Sequence, residues 1–145
     1  MLVGEDRFRA LVSVAASCVI GQQQPPALIS MSLERARFCE LLAPMVNENP
    51  NEQFMLGMMS LLDAILEAPM ETIAKSLPLR QEVRAALLGV SNRESVPLSI
   101  IRSFESGAWG CCADVIQGVK VSEEGLAQLY FEAIKWAADV VAASS

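Results

Sequence analysis

The chain has 145 residues, of which 52% are apolar, 19% charged and 6% aromatic; this excludes disorder and fibrous repeats and suits one helical domain over residues 1–145. Eleven basic against seventeen acidic residues give a net charge of −6, and without basic clusters such a chain has no electrostatic grip on phosphate backbones, so no nucleic-acid partner is expected. Histidine is absent, which removes the commonest metal ligand and the side chain best suited to proton transfer near neutral pH.

In chain order, Phe8, Leu11, Val12, Ala15, Cys18 and Val19 recur at three- and four-residue steps, predicting a helix over Glu5 to Ile20 that Gly21 ends. No residue from Ala10 to Leu33 is charged, yet Gln22-Gln23-Gln24-Pro25-Pro26 interrupts the run. The apolar part is about half the ~20 residues a bilayer span needs, so no membrane crossing is expected. Ala15-Ala16-Ser17-Cys18 resembles a lipoprotein cleavage site only faintly, because Glu5 and Asp6 stand in the leader; a cytoplasmic helix interior is the expectation.

Leu28, Met31, Ala36, Cys39 and Leu42 predict a second helix through Ala43, followed by the polar loop Asn47-Glu48-Asn49-Pro50-Asn51. Gln53 to Glu67 reads as a third, central helix, apolar on most faces, with Met55, Met58 and Met59 filling core gaps. Pro69 breaks the chain before a short helix over Met70 to Ser76, and Leu77-Pro78-Leu79 leads into another over Arg80 to Leu88 that Gly89 closes. Ser95-Val96-Pro97 opens a helix ending at Gly107, and Gly118 closes a segment that begins near Ala108. Ser122 caps the last helix, Glu123 to Ala143, with Leu126, Leu129, Tyr130, Ala133, Ile134, Ala137 and Val140 or Val141 inward. No alternating strand pattern appears, so the expected fold is all-α.

Of the four cysteines, Cys18, Cys39, Cys111 and Cys112, none has C-x-x-C spacing, and with no histidine to complete a zinc tetrahedron they read as core residues in a reducing compartment. Charges set among apolar residues, as in Arg35-Ala36-Arg37-Phe38-Cys39-Glu40 and at Asp63, must be paired or reach water. The expectation is a structural ion pair in which Arg37 reaches Asp63 or Glu40 and fixes how the second and third helices dock. The competing reading makes Asp63 and Glu40 ligands of magnesium or manganese in a divergent carboxylate phosphohydrolase, but no third carboxylate lies at helical spacing. Serine and cysteine nucleophiles lack the histidine that triads use, and no Gly-rich phosphate loop is present. Glu132-Ala133-Ile134 is similar to the Glu-Ala-Leu signature of cyclic-diguanylate phosphodiesterases only superficially, since it sits in the terminal helix with nothing of such a barrel around it.

The runs Arg35-Ala36-Arg37-Phe38-Cys39-Glu40-Leu41-Leu42-Ala43, then Phe54 to Leu66 with Ser60-Leu61-Leu62-Asp63-Ala64, then Leu77-Pro78-Leu79 with Glu82-Val83 and Ala86-Leu87-Leu88, resemble the HDOD (HD-related output) domain. More narrowly, they resemble the HDOD part of bacterial signalling proteins that carry an EAL domain ahead of it, and Tyr130 to Ala137 matches that family's last helix. The resemblance implies an HD-domain-like bundle of about seven to eight helices without the catalytic metal ligands of HD and HD-GYP phosphohydrolases. Two departures accompany it: the chain begins near the middle of the family's domain, at Leu2-Val3-Gly4, so an N-terminal helical portion and any EAL domain are expected to be missing, and Gly89 to Val96 lacks the family's glycine-rich pattern.

The implied role is regulatory, a scaffold or sensor tied to cyclic diguanylate through the EAL neighbour, with no catalytic position and no cofactor to carry over. An apolar content of 52% is high for a small domain, so the partner expected is a protein, an EAL-type domain or a second copy of the chain. A small-ligand sensor with a pocket between helices is the third reading.

Overall fold

The structure, a computed structural model, describes residues 26–77, 79–107 and 121–144. The helices expected over Glu5 to Ile20 and from Ala108 to Gly118 lie outside these residues, as do Cys18, Cys111 and Cys112. The described residues form α1 (Pro26–Leu42), a 3-10 turn (Ala43–Val46), α2 (Pro50–Met59), α3 (Leu62–Leu66), α4 (Met70–Lys75), α5 (Gln81–Leu87), a second 3-10 turn (Arg93–Ser95), α6 (Val96–Ser106) and α7 (Glu123–Ser144). No strand occurs among them, and the architecture is all-α.

Local chemistry sets most of these boundaries. Asn49 caps α2, its side-chain oxygen accepting from the amides of Asn51 at 2.8 Å and Glu52 at 3.2 Å, while Pro50 needs no partner because it has no N–H. Gly107, at φ 74°, ends α6 in the left-handed region that a residue without Cβ enters freely. Ser122 caps the start of α7 by accepting from the Gly125 amide at 3.1 Å. Ser95 does not cap α6 as its position suggests: its hydroxyl donates to the Asn92 carbonyl at 2.7 Å and accepts the Asn92 amide at 3.0 Å, closing a capping box on the second 3-10 turn instead.

The helix expected over Gln53 to Glu67 is two helices, α2 and α3, separated at Ser60 and Leu61. Ser60 turns its hydroxyl back onto the Gly57 carbonyl at 2.7 Å, competing with the main-chain ladder, and Leu61 leaves the helical region at φ −113°, ψ 6°. The centre of the bundle also differs from expectation: α1 packs against α2, α7, α6 and α3, and α2 is one of its neighbours. Two bulky layers flank α1. On one side Phe38, Cys39, Leu42, Leu56, Leu98, Ile100, Ile101 and Leu126 form the main core; on the other Ala36, Phe54 and Met58 pack with Trp136. Burying each large apolar side chain contributes roughly 1.5–3 kcal/mol, so this sandwiching of α1 is the main source of stability.

Aromatic rings lock α1, α6 and α7 together. Phe104 stacks on Tyr130 with centroids 5.3 Å apart and planes 10° apart, and Phe38 meets both edge-on at 6.1 and 6.3 Å. On α7, Leu126, Ala133 and Ala137 are buried as the periodicity predicts, and of Val140 and Val141 it is Val140 that is half-buried, but Ile134 is not inward; it is 36% exposed. No helix among the described residues is long and apolar enough to cross a membrane.

Candidate functional site

The polar centre of the molecule is Arg35, which α1 carries into the bundle on the same face as Ser32 and Cys39. Its Nη2 donates to Glu105 Oε1 at 2.7 Å and its Nε lies 3.1 and 3.2 Å from the two carboxylate oxygens, a fork-on-fork pair with α6. Its Nη1 donates to Ser60 Oγ at 3.0 Å, and Ser60 in turn donates to the Gly57 carbonyl. One guanidinium thus holds the end of α2 and the end of α6 onto α1. Beside it Ser32 Oγ donates to the Met58 carbonyl at 2.5 Å, a second polar clasp between α1 and α2.

Burial, with Glu105 nearby, raises the Glu34 carboxyl above its ordinary value, and burial likewise raises Tyr130. The Cys39 thiol is fully buried and pushed far up by desolvation, which keeps it protonated and unreactive. The proton of Ser60 is committed to a main-chain carbonyl. These groups fix helices; none is arranged as a nucleophile with its base.

The residues singled out from the sequence fall in different places. Arg37 pairs with Glu40 one turn along α1, and its guanidinium lies 5.6 Å over the ring of Trp136 on α7. Arg37 therefore serves the α1–α7 contact. Asp63 stands exposed on α3 with its carboxylate accepting from the Ala64 amide at 2.9 Å, and no contact joins it to Arg37. The docking of the second helix on the third is the work of Arg35, Ser60 and Glu105. Of these, Arg35 belongs to a run the sequence flags as needing partners, whereas nothing in the sequence pointed to Glu105, seventy residues away.

Asp63 does open onto a cleft of about 320 Å³ between α3, α4, α5 and α6, with Ser60 on its floor and Met70, Glu71, Leu87 and Arg102 around it. Partial burial of the Arg102 guanidinium, and the like charge of Arg35 behind it, lower its pKa, while Glu105 and Asp63 act the other way. Among the described residues no three His, Cys, Asp or Glu side chains come together in a way that could hold a metal ion. Glu40 is engaged by Arg37 on α1 and is not among the residues lining the cleft.

Fold and centre together define an all-α bundle organised by an internal arginine–carboxylate node. Two curated proteins are similar to this chain. The cyclic di-GMP phosphodiesterase CdgJ of Vibrio cholerae is 30% identical over 140 residues, which are 95% of this chain and 32% of that protein. The protein YuxH of Bacillus subtilis is 35% identical over 117 residues, 80% of this chain and 28% of that protein. The chain spans about a third of the length of the curated relatives it matches. No family model matches it, and no solved structure does.

Proposed function

We propose that the chain is an HDOD-like regulatory module of cyclic di-GMP signalling that acts by contact with another protein or domain and not by turnover. The observation that carries this reading is the similarity to CdgJ along 95% of a chain that contains no histidine. Supporting it, the charged groups at the bundle's centre are spent on holding helices together, which suits a body that transmits contacts. Such a module would bias a neighbouring catalytic domain between conformations by binding one of them better.

The test has two arms. With manganese or magnesium, the purified chain is expected to leave cyclic di-GMP and bis(p-nitrophenyl) phosphate intact; turnover that disappears in Asp63→Asn or Glu40→Gln would replace this reading with a carboxylate phosphohydrolase. Added to an EAL-type phosphodiesterase from the same genome, the chain is expected to change its rate by about fivefold or more, the lower range of allosteric coupling. A second reading, a small-ligand sensor, is favoured by the cleft, whose 320 Å³ is at the small end of ligand pockets.

A further inference from the structure

The cleft between α3, α4, α5 and α6 is lined by charges of both signs that do not satisfy one another. Among the described arginines, Arg35, Arg37, Arg80 and Arg93 each pair with a glutamate, and Arg84 donates to main-chain carbonyls. Arg102, on the wall of the cleft, has no hydrogen bond or ion pair among the described residues. Its guanidinium is nonetheless partly withdrawn from water with the like charge of Arg35 behind it, and both disfavour its positive form. A planar fork of donors in that setting is suited to a carboxylate, which two parallel N–H···O bonds can hold.

Asp63 and Glu71, both exposed, line the same cleft. Asp63 is near enough to act on Arg102 electrostatically, yet the two form no ion pair. Met70 and Leu87 add apolar wall, as does Leu88, a leucine left 45% exposed. One positive charge beside two negative ones repels a phosphate or other polyanion, while a bare cation meets Arg102. An uncharged apolar molecule would cover the guanidinium and give it no acceptor. A molecule with one anionic and one cationic group answers all three objections.

We propose that the cleft binds a small zwitterion, an α-amino acid with an aliphatic or thioether side chain. Its carboxylate sits on the Arg102 guanidinium, its ammonium lies towards Asp63 and Glu71, and its side chain covers Met70 and Leu88. The volume of about 320 Å³, at the small end of ligand pockets, suits a single amino acid and not a peptide. A ligand so held ties α3 and α4 to α6, beside the Arg35–Glu105 pair. This inference rests on the small-ligand reading of the cleft and not on regulation by contact.

NMR titration of the isotope-labelled 145-residue chain at neutral pH tests it, with L-leucine and L-methionine as probes. L-Leucinamide, which lacks the carboxylate, and isocaproate, which lacks the ammonium, are the comparisons. Leucine and methionine are expected to shift amides around Asp63, Glu71 and Arg102 with a Kd of about 0.1–1 mM, the range for a ligand of so few atoms. Arg102→Gln should weaken leucine binding about tenfold or more, and Asp63→Asn with Glu71→Gln about threefold or more, each variant keeping the parent's cooperative unfolding. Leucinamide should bind about tenfold more weakly than leucine, and isocaproate about threefold. If either comparison compound bound as tightly as leucine, the zwitterion would be overturned and the small-ligand reading kept. Leucine binding unchanged by Arg102→Gln would place the ligand elsewhere and overturn the proposal. No binding of any of the four compounds would overturn both the proposal and the small-ligand reading, and the effect on an EAL-type phosphodiesterase would still be decided by its own assay.

Discussion

Arg35 is 7% exposed and carries its charge into the bundle, where among the described residues the Glu105 carboxylate and the Ser60 hydroxyl compensate for lost water. Removing one partner of a buried pair leaves the other uncompensated, which costs more than the pair itself contributes. Arg35→Ala is therefore expected to destabilise the fold by about 3 kcal/mol, and Arg35→Ala with Glu105→Ala by clearly less than the sum of the two single changes. Urea unfolding of the four proteins in a double-mutant cycle measures this; additive losses would show that the two side chains do not act as a unit. Asp63→Ala, by contrast, removes an exposed contact to a neighbouring amide and a charge that acts on the Arg102 guanidinium, so the two sites flagged by the same sequence rule should differ sharply in cost.

The crossing of α1 and α2 turns on Gly57. A Cβ placed there would lie 2.5 Å from the Arg35 carbonyl oxygen and 2.8 Å from the Ala36 Cα, both main-chain atoms that cannot swing aside. Helix propensity alone says Gly57→Ala should stabilise by about 1 kcal/mol. Close packing says the reverse, by about 1–3 kcal/mol as the helices are forced apart. The expected result is a net loss of stability with a lower urea midpoint, accompanied by weakening of the Ser32–Met58 and Arg35–Ser60 links that depend on this close approach. A Gly57→Ala protein more stable than its parent would show that α1 and α2 do not touch through their backbones.

For the whole molecule, the raised Glu34 carboxyl couples folding to pH. Its ordinary value is 4.5, and burial followed by the Glu105 charge lifts it in the native state. The native state then keeps a proton that the unfolded chain releases, so this group's contribution is fully present below pH 4.5 and is lost as pH rises through the raised value. Glu34→Gln is expected to flatten that fall and to leave the protein more stable than its parent at neutral pH. Urea midpoints followed from pH 4 to 8 check it; a variant that keeps the parent's slope would sink the assignment.

Most helices, and where they stop, were readable from the sequence by itself, because a cap, a proline or a glycine acts on the few residues beside it: Pro69, Gly89 and Gly107 each stand at an observed boundary, whereas Asn49-Pro50, read as loop, opens α2. The lack of imidazole and the need for Arg35 and Arg37 to find partners were equally plain. Glu40, one turn along α1 from Arg37, was a candidate partner already, but the partners that lie far along the chain were decided by tertiary structure alone. A charge constrains the sign of its neighbour and says nothing of its address, so Glu105 and Trp136 were invisible. The break at Ser60 likewise has a cause distant in the chain, since the hydroxyl that turns the chain there is held by Arg35, twenty-five residues away, which Glu105 orients. On α7 the inward stripe Leu126, Tyr130, Ala133, Ala137 and Val140 was legible from periodicity, whereas the placing of Ile134 outside it was decided by how α7 packs on α1.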